Sequence, residues 1–135
     1  GPDPSSVDAC KIGGMLANNS SGPHSLRYGS VKDNVEHLRV LLPNKTWVEL
    51  SPRKVDDPEI QSLLSEQKAL HGIIENIKTH SSLIRSKRPQ VSKNSSGYNV
   101  FDVIEGFEHG IIDLTKIFIG SEGTLGIISE ATLKL

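Results

Sequence analysis

The pattern of apolar and polar positions changes period along the chain. From Val35 to Leu42 branched aliphatic residues alternate loosely with polar ones, Pro43-Asn44-Lys45 supplies a turn, and Thr46 to Leu50 runs back. That arrangement predicts a β-hairpin. A helical period follows. Asp57 suits an N-cap, Pro58 suits the first helical position, and Ile60, Leu63, Leu64, Leu70, Ile73, Ile74 and Ile77 fall on one stripe. Gly72 interrupts the stripe at a cost of about 1 kcal/mol, which such a stripe can absorb. A short helix is predicted over Ser82 to Lys87, ahead of Pro89, and the apolar stretch Val100 to Ile104 predicts another. Lys116 to Ile119 reads as a short strand. From Ile127 the period is two: Ile127, Ser129, Ala131, Leu133 and Leu135 share one face, with Ile128, Glu130, Thr132 and Lys134 on the other. Trp47 and the stripe from Ile60 to Ile77 are expected in the core.

The first 23 residues are less regular. Pro2 and Pro4 keep the opening extended, and Gly1 to Ser6 starts without Met in what reads as mid-loop, as an excised domain would. Ile12 to Ala17 predicts a glycine turn feeding a short helix, stopped by Asn18-Asn19-Ser20-Ser21-Gly22-Pro23, whose side chains bond their own backbone. Strands and helices intermix without a βαβ rhythm. The expected fold class is therefore α+β: an antiparallel sheet of about four or five strands flanked by helices.

Composition narrows the function. At 135 residues the chain fits one domain and is too short for a complete two-substrate oxidoreductase. Fifteen Lys+Arg against 16 Asp+Glu give no electrostatic footprint for nucleic acid. A single cysteine, Cys10, excludes an internal disulfide framework, and five scattered histidines show no metal-ligand spacing. No apolar run is long enough to span a membrane, so a cytoplasmic protein is expected, at most peripheral to a membrane through a parent protein.

Two glycine-containing segments carry the candidate chemistry. In Ile12-Gly13-Gly14 missing side chains let the backbone approach a ligand, and the helix start offers free N–H groups and the positive end of the dipole. In Gly120-Ser121-Glu122-Gly123-Thr124-Leu125-Gly126 glycine recurs every third residue beside two hydroxyls, a loop able to wrap an anion or ring edge with backbone donors. Taken alone, each is more commonly a structural turn. Neither is a dinucleotide-binding fingerprint, because the second loop leads into a strand, nor a Walker loop, because no Gly-Lys-Ser/Thr closes it.

Several segments in order give more. Asp3-Pro4-Ser5-Ser6, Cys10 through Gly22, Arg27-Tyr28-Gly29-Ser30 and Gly120 through Ile128 resemble the second half of the FAD-binding domain of the vanillyl-alcohol-oxidase (PCMH) type. Asn94-Ser95-Ser96-Gly97-Tyr98, with a helical insert at about 56–90, is similar to the FAD-linked oxidases and dehydrogenases that act on D-lactate or D-2-hydroxyglutarate. The resemblance covers essentially the whole chain. It implies that Asp3, Pro4, Ser5, Ser6, Gly13 and Gly14 line the pyrophosphate and ribityl chain of FAD, and that Asn18, Asn19, Ser20 and Ser21 continue along the cofactor. It implies further that Glu122, Gly123, Thr124, Gly126, Ile127 and Ile128 supply backbone contacts reaching toward the adenine. The flavin brings the redox chemistry, the protein position and electrostatics.

The same resemblance implies missing parts: an N-terminal FAD subdomain ahead of residue 1 and a C-terminal substrate domain. The chain is expected to fold, to bind FAD weakly or not at all by itself, and to be inactive alone. Within a full protein it would serve oxidation of a small D-2-hydroxy acid, with an iron–sulfur centre, quinone or cytochrome as electron acceptor. The alternative is a non-catalytic interaction or structural module that keeps the fold without flavin. Cys10 is expected as an inert packed thiol and His24 as an exposed loop residue. Arg85, Lys87, Arg88 and Lys93 are expected to form a solvated basic face, against an anion-attracting one. Tyr28 either packs on the cofactor or anchors the hairpin.

Overall fold

A computed structural model of the chain describes residues 8–91 and 94–134. It is an α+β fold. Helices α1 (Ile12–Ala17), α2 (Ser25–Tyr28) and α3 (Val31–Asn34) lead into the hairpin β1 (Val35–Leu41) and β2 (Trp47–Leu50). A short strand β3 (Arg53–Lys54) precedes helices α4 (Pro58–Glu66), α5 (Lys68–Thr79), α6 (Ser81–Ser86) and α7 (Val100–Glu108). The chain ends with β4 (Ile111–Ile112), α8 (Thr115–Phe118) and β5 (Ile127–Leu133).

Among the described residues the strands form two antiparallel sheets rather than one of four or five strands. β1 is central in a three-stranded sheet of order β2-β1-β5, and β3 pairs with β4 separately. Asp57 caps α4 as its sequence predicts, accepting from Glu59 N–H at 2.8 Å, with Pro58 at the start of the helix. The stripe is buried at Ile60, Leu64, Leu70, Ile74 and Ile77, but it runs over two helices, not one. The break falls at Gln67, a buried polar residue whose side-chain oxygen accepts from Asn44 Nδ2 at 2.9 Å in the β1–β2 turn. Turning the backbone there lets a polar group within the apolar stripe find a partner.

Three other expectations need correction. Lys116 to Ile119 is not a strand: Thr115–Phe118 is a helix, started by Asp113, whose Oδ1 accepts from the backbone N–H and the hydroxyl of Thr115. Trp47 is not in the core. Strand alternation sends Val48 and Leu50 inward and leaves Trp47 49% exposed, with the Arg39 guanidinium 5.0 Å from its ring centroid. The faces of β5 are not continuous either. Register shifts where Val40 pairs with Ile128 and Arg39 with Glu130, so Ser129 is the extra residue. The bulge turns Ile128 toward the core alongside Ala131 and Leu133 and leaves Ile127 64% exposed. A second shift, at Glu36, gives β1 its three-residue spacing between buried Val35 and Leu38.

One core joins these parts. Leu38, Val40, Val48 and Leu50 from the larger sheet meet Leu70, Ile74 and Ile77 of α5, Val103 and Ile104 of α7, and Ile117 and Phe118 of α8. A partly buried polar network stitches α3, α7 and α8 beside it. Lys32 Nζ lies 2.9 Å from Asp102 Oδ2 and donates to Asn99 Oδ1 at 3.2 Å, while Asn99 Nδ2 donates to Asp102 at 2.8 Å. Lys116 Nζ donates to the Lys32 carbonyl. Burial alone would raise the Asp102 carboxyl, but the hydrogen bonds from Lys32 and Asn99 and the charges of Lys32 and Lys116 outweigh it, holding the group below its ordinary value.

Candidate functional site

Helix α1 is short, and its first turn presents Gly13 and Gly14 on the surface. Both are exposed, and an added Cβ on either would meet nothing within 4 Å. The N–H groups of a first helical turn have no carbonyl four residues back inside the helix, so this turn offers bare backbone donors. At the other end of α1, Asn18 is exposed, while Asn19 takes a left-handed conformation (φ 48°) and is only 3% exposed. Its Oδ1 accepts from Lys32 N–H at 3.0 Å. The chain around it is fixed by Ser20 N–H donating to the Met15 carbonyl (2.9 Å) and Val31 N–H donating to the Ser20 carbonyl (3.1 Å).

The second glycine loop lies against this same helix end. Gly120 N–H donates to the Leu16 carbonyl at 2.9 Å and Glu122 N–H to the Ala17 carbonyl at 3.1 Å. These two bonds satisfy α1 carbonyls that lack partners within the helix. They also join two segments more than a hundred residues apart. Within the loop Gly120 (φ 83°), Glu122 (φ 51°) and Gly123 (φ 79°) are left-handed. Ser121 is buried, and Glu122, Gly123 and Thr124 are exposed.

The glycines of the loop answer to different demands. At Gly123 an added Cβ would meet nothing, and the positive φ is what favours glycine there. At Gly126 a Cβ would lie 2.8 Å from the Leu41 carbonyl and 2.9 Å from Val40 Cγ1, so the close approach of the loop to β1 requires a bare backbone.

The structure therefore brings Asn18, Asn19, Ser20, Glu122, Gly123 and Thr124 into one neighbourhood, with Gly13 and Gly14 at the far end of α1. Ser21 is half-buried just beyond it, and Ile127 and Ile128 open β5 directly after the loop. Asp3, Pro4, Ser5 and Ser6 lie outside the described residues. Cys10 is half-buried and carries a free thiol. His24 is exposed and meets the Tyr28 ring edge-on at 6.5 Å, and the Arg27 guanidinium sits 5.3 Å from the same ring. Of the basic group, Arg85 near the end of α6 lies 2.5 Å from Glu108 of α7 and Arg88, just past α6, pairs with Glu105, while Lys87 is exposed and Lys93 lies outside the described residues. Among the described residues no three His, Cys, Asp or Glu side chains converge as metal ligands would, and no helix is long and apolar enough to cross a membrane.

Sequence reasoning gave no part to Lys32, Asn99 and Asp102, or to the contact between Tyr98 and Thr124, whose oxygens are 2.8 Å apart. These partners are distant in the sequence, and no local motif announces them.

Known proteins match along the same segments. A family model described as an FAD binding domain matches residues 1–51. A D-2-hydroxyglutarate dehydrogenase from Pantoea ananatis is 30% identical over 136 residues, covering 99% of this chain and 13% of its own length. The mitochondrial D-lactate dehydrogenase [cytochrome] 1 of Saccharomyces cerevisiae is 31% identical over 124 residues, covering 92% of this chain and 12% of its own. Glycolate oxidase subunit GlcD of Bacillus subtilis is 31% identical over 134 residues, covering 99% of this chain and 18% of its own. The chain is thus similar to an FAD binding domain over its first 51 residues and to these dehydrogenases and this oxidase subunit along nearly its whole length. The family match ends at residue 51, whereas alignments covering 99% of this chain take in the second glycine loop as well. The chain spans only 12% to 18% of the length of these relatives.

Proposed function

We propose that this chain is the second subdomain of a PCMH-type FAD-binding module in an oxidoreductase that acts on small D-2-hydroxy acids of the lactate, glycolate or 2-hydroxyglutarate type. The observation that carries the reading is the docking of the second glycine loop on the C-terminal end of α1, the helix whose first turn bears Gly13 and Gly14, each segment with backbone left open to a ligand. The residues present fit a dinucleotide. A Cβ at Gly13, Gly14 or Gly123 would have open space before it, which is the room a closely approaching phosphate or ring edge takes. Gly13 and Gly14 would hold the pyrophosphate on the first turn of α1. Asn18, Ser20 and Ser21 offer amides and hydroxyls along its path, and Glu122 to Ile128 would present backbone groups at its other side. Asn19, its side chain engaged with Lys32, would act by shaping that path. Asp3 to Ser6 would complete the pyrophosphate wall.

When bound, the flavin supplies the ring that accepts hydride from the hydroxy acid; the protein supplies orientation and exclusion of water. The hydroxy acid itself, and the iron–sulfur, quinone or cytochrome acceptor, would be met by parts of a longer protein, because the substrate domain has no counterpart among these elements. The helices between residues 56 and 90 are an insert on the module. By itself the chain is an incomplete cradle and inactive, and it works in a reducing, cytoplasmic-type compartment that leaves Cys10 a thiol.

A second reading has one observation in its favour. Gly126 is required by packing against β1, so part of the glycine pattern would persist in a module that never met flavin. Titration of FAD, followed by flavin fluorescence and by heat, separates the two readings. It is made on the 135-residue chain and on the longest natural protein containing it. Binding tighter than about 10 μM, near −7 kcal/mol, by the longer protein and weaker binding by the chain is the expected result. A colourless longer protein that binds no FAD would leave only the structural module.

A further inference from the structure

The loop between the helical segment and α7 touches the second glycine loop at its exposed side. Thr124 Oγ1 lies 2.6 Å from the Ser121 carbonyl and 2.8 Å from the Tyr98 hydroxyl. A threonine hydroxyl has one proton. The Ser121 carbonyl can only accept, so the Thr124 proton is committed to it, and the Tyr98 phenol must be the donor to Thr124. Tyr98 is thereby given a direction as well as a partner. Its loop also lies against the loop base: a Cβ on Gly120 would be 3.7 Å from the Gly97 carbonyl. The body of Tyr98 is 47% exposed and shares the lining of an open apolar groove of about 410 Å³ with Leu125, Val100, Ile117 and Ile77.

The glycine loop holds an unusual backbone. Glu122 and Gly123 are consecutive left-handed residues, and a glutamate in that region is sparsely populated. The α1 carbonyls fix the loop at Gly120 and Glu122, Thr124 N–H donates to the Ser121 carbonyl at 3.0 Å inside it, and the Tyr98 phenol ties that Thr124 end to another segment of the chain.

We propose that Tyr98 is a positioning residue for flavin: its phenol, donating to Thr124, locks residues 121–124 in the conformation whose backbone meets the cofactor. The proposal deepens the flavin reading above and rests on it. The segment 94–99 is then part of the cofactor site, although it supplies no atom to the cofactor.

Two measurements test it. The first needs no flavin: hydrogen exchange of the 120–126 amides in the 135-residue chain, for the natural sequence, Tyr98→Phe, Thr124→Val, the double variant, and Thr124→Ser. Loss of one hydrogen bond should speed exchange in this loop by about two- to tenfold in Tyr98→Phe. The urea midpoint of the whole fold should fall by no more than the same two- to tenfold change in the folding equilibrium accounts for. Thr124→Ser, which keeps the hydroxyl, should exchange like the natural chain, and Tyr98→Phe should add nothing in the Thr124→Val background. The second is the FAD dissociation constant of the longest natural protein, expected to rise about two- to tenfold in Tyr98→Phe. Unchanged exchange in Tyr98→Phe, or effects of the two substitutions that simply add, overturns the lock. Faster exchange with an unchanged dissociation constant overturns the positioning role. Absence of FAD binding by the natural long protein defeats the flavin reading itself, and the exchange data then still decide whether the lock exists.

Discussion

Replacing glycines one at a time by alanine should separate those the fold requires from those a ligand requires. Gly126→Ala puts a methyl 2.8 Å from the Leu41 carbonyl, 2.9 Å from Val40 Cγ1 and 3.3 Å from Phe118 Cε1. The nearest of these is backbone inside the β1–β5 ladder and cannot swing away, so the cost belongs at the upper end of overpacking, about 2–3 kcal/mol. Gly123→Ala meets no atom but keeps φ at 79°, which costs a side-chain-bearing residue about 1–2 kcal/mol. Gly13→Ala and Gly14→Ala meet nothing, have no positive φ and lie in a helix, so alanine should be neutral or stabilise by up to about 1 kcal/mol. Urea unfolding followed by circular dichroism reads all four. With a slope of about 1–3 kcal/mol per molar, Gly126→Ala should lower the midpoint by about 1 M or more, with Gly14→Ala at or above the natural value. If flavin binds as proposed, the ranking inverts for FAD affinity in the longer protein: Gly13→Ala and Gly14→Ala lose binding while the fold gains. A Gly126→Ala chain as stable as the natural one would refute the packing argument, and a destabilised Gly14→Ala would refute the assignment of that glycine to the ligand.

Three further outcomes follow from the structure. The Asp102 carboxyl is held below its ordinary value in the fold, so its stabilisation is complete above the unfolded-state value near 4 and is lost as pH falls through the lower folded one. Asp102→Asn should therefore flatten the acid limb of a stability–pH curve between about pH 5 and pH 2, and lower stability at pH 7 by about 1–3 kcal/mol, as loss of charged hydrogen bonds does; an acid limb identical to the natural chain's would contradict this. Phe118, 1% exposed where α8 meets β1, should cost about 3–5 kcal/mol on replacement by alanine, visible as a markedly lower melting temperature. Trp47 is the sole tryptophan and is half exposed, so its emission in the folded chain should already be near that of the unfolded one; a large red shift on unfolding would place the ring inside.

The parts of the fold that were legible are those fixed by local pattern. The β1–β2 hairpin follows from alternation around Pro43-Asn44-Lys45, and α4 starts where Asp57-Pro58 says it should. The apolar stripe was legible as burial but not as two helices, although Gln67 falls in phase with Leu64 and Leu70, and a polar residue on a buried stripe is the signal for such a break. The run 116–119 was too short to distinguish helix from strand by period, and Asp113 decided it by binding the Thr115 N–H. Residue type points Trp47 inward, but its strand parity, opposite to Val48, is what places it on the surface. The Ser129 bulge carries no sequence mark, so a strict period of two puts the start of β5 one residue out of step. At the site, Gly13, Gly14 and Gly123 stand open as their sequence suggests, while Gly126 and Asn19 turn out to be bound into the framework. The Lys32–Asp102 and Tyr98–Thr124 pairs depend on tertiary folding alone.

The small β3–β4 pair has a consequence for how this chain can vary. Arg53 pairs with Ile112 and Lys54 with Ile111, and Val55 N–H donates to the Gly110 carbonyl, so the backbone leaves the framework and re-enters it at a single clasp. Everything from residue 56 to 109 is an excursion between two ends already held together. Closure entropy grows only with the logarithm of loop length, by about 0.6 kcal/mol per doubling. Lineages can thus lengthen, shorten or exchange the outer helices at little thermodynamic penalty, provided α5 and α7 keep their inward aliphatic residues. The clasp makes this stretch the natural place for evolution, or a protein engineer, to graft new surface without shifting the strands that frame the glycine loops.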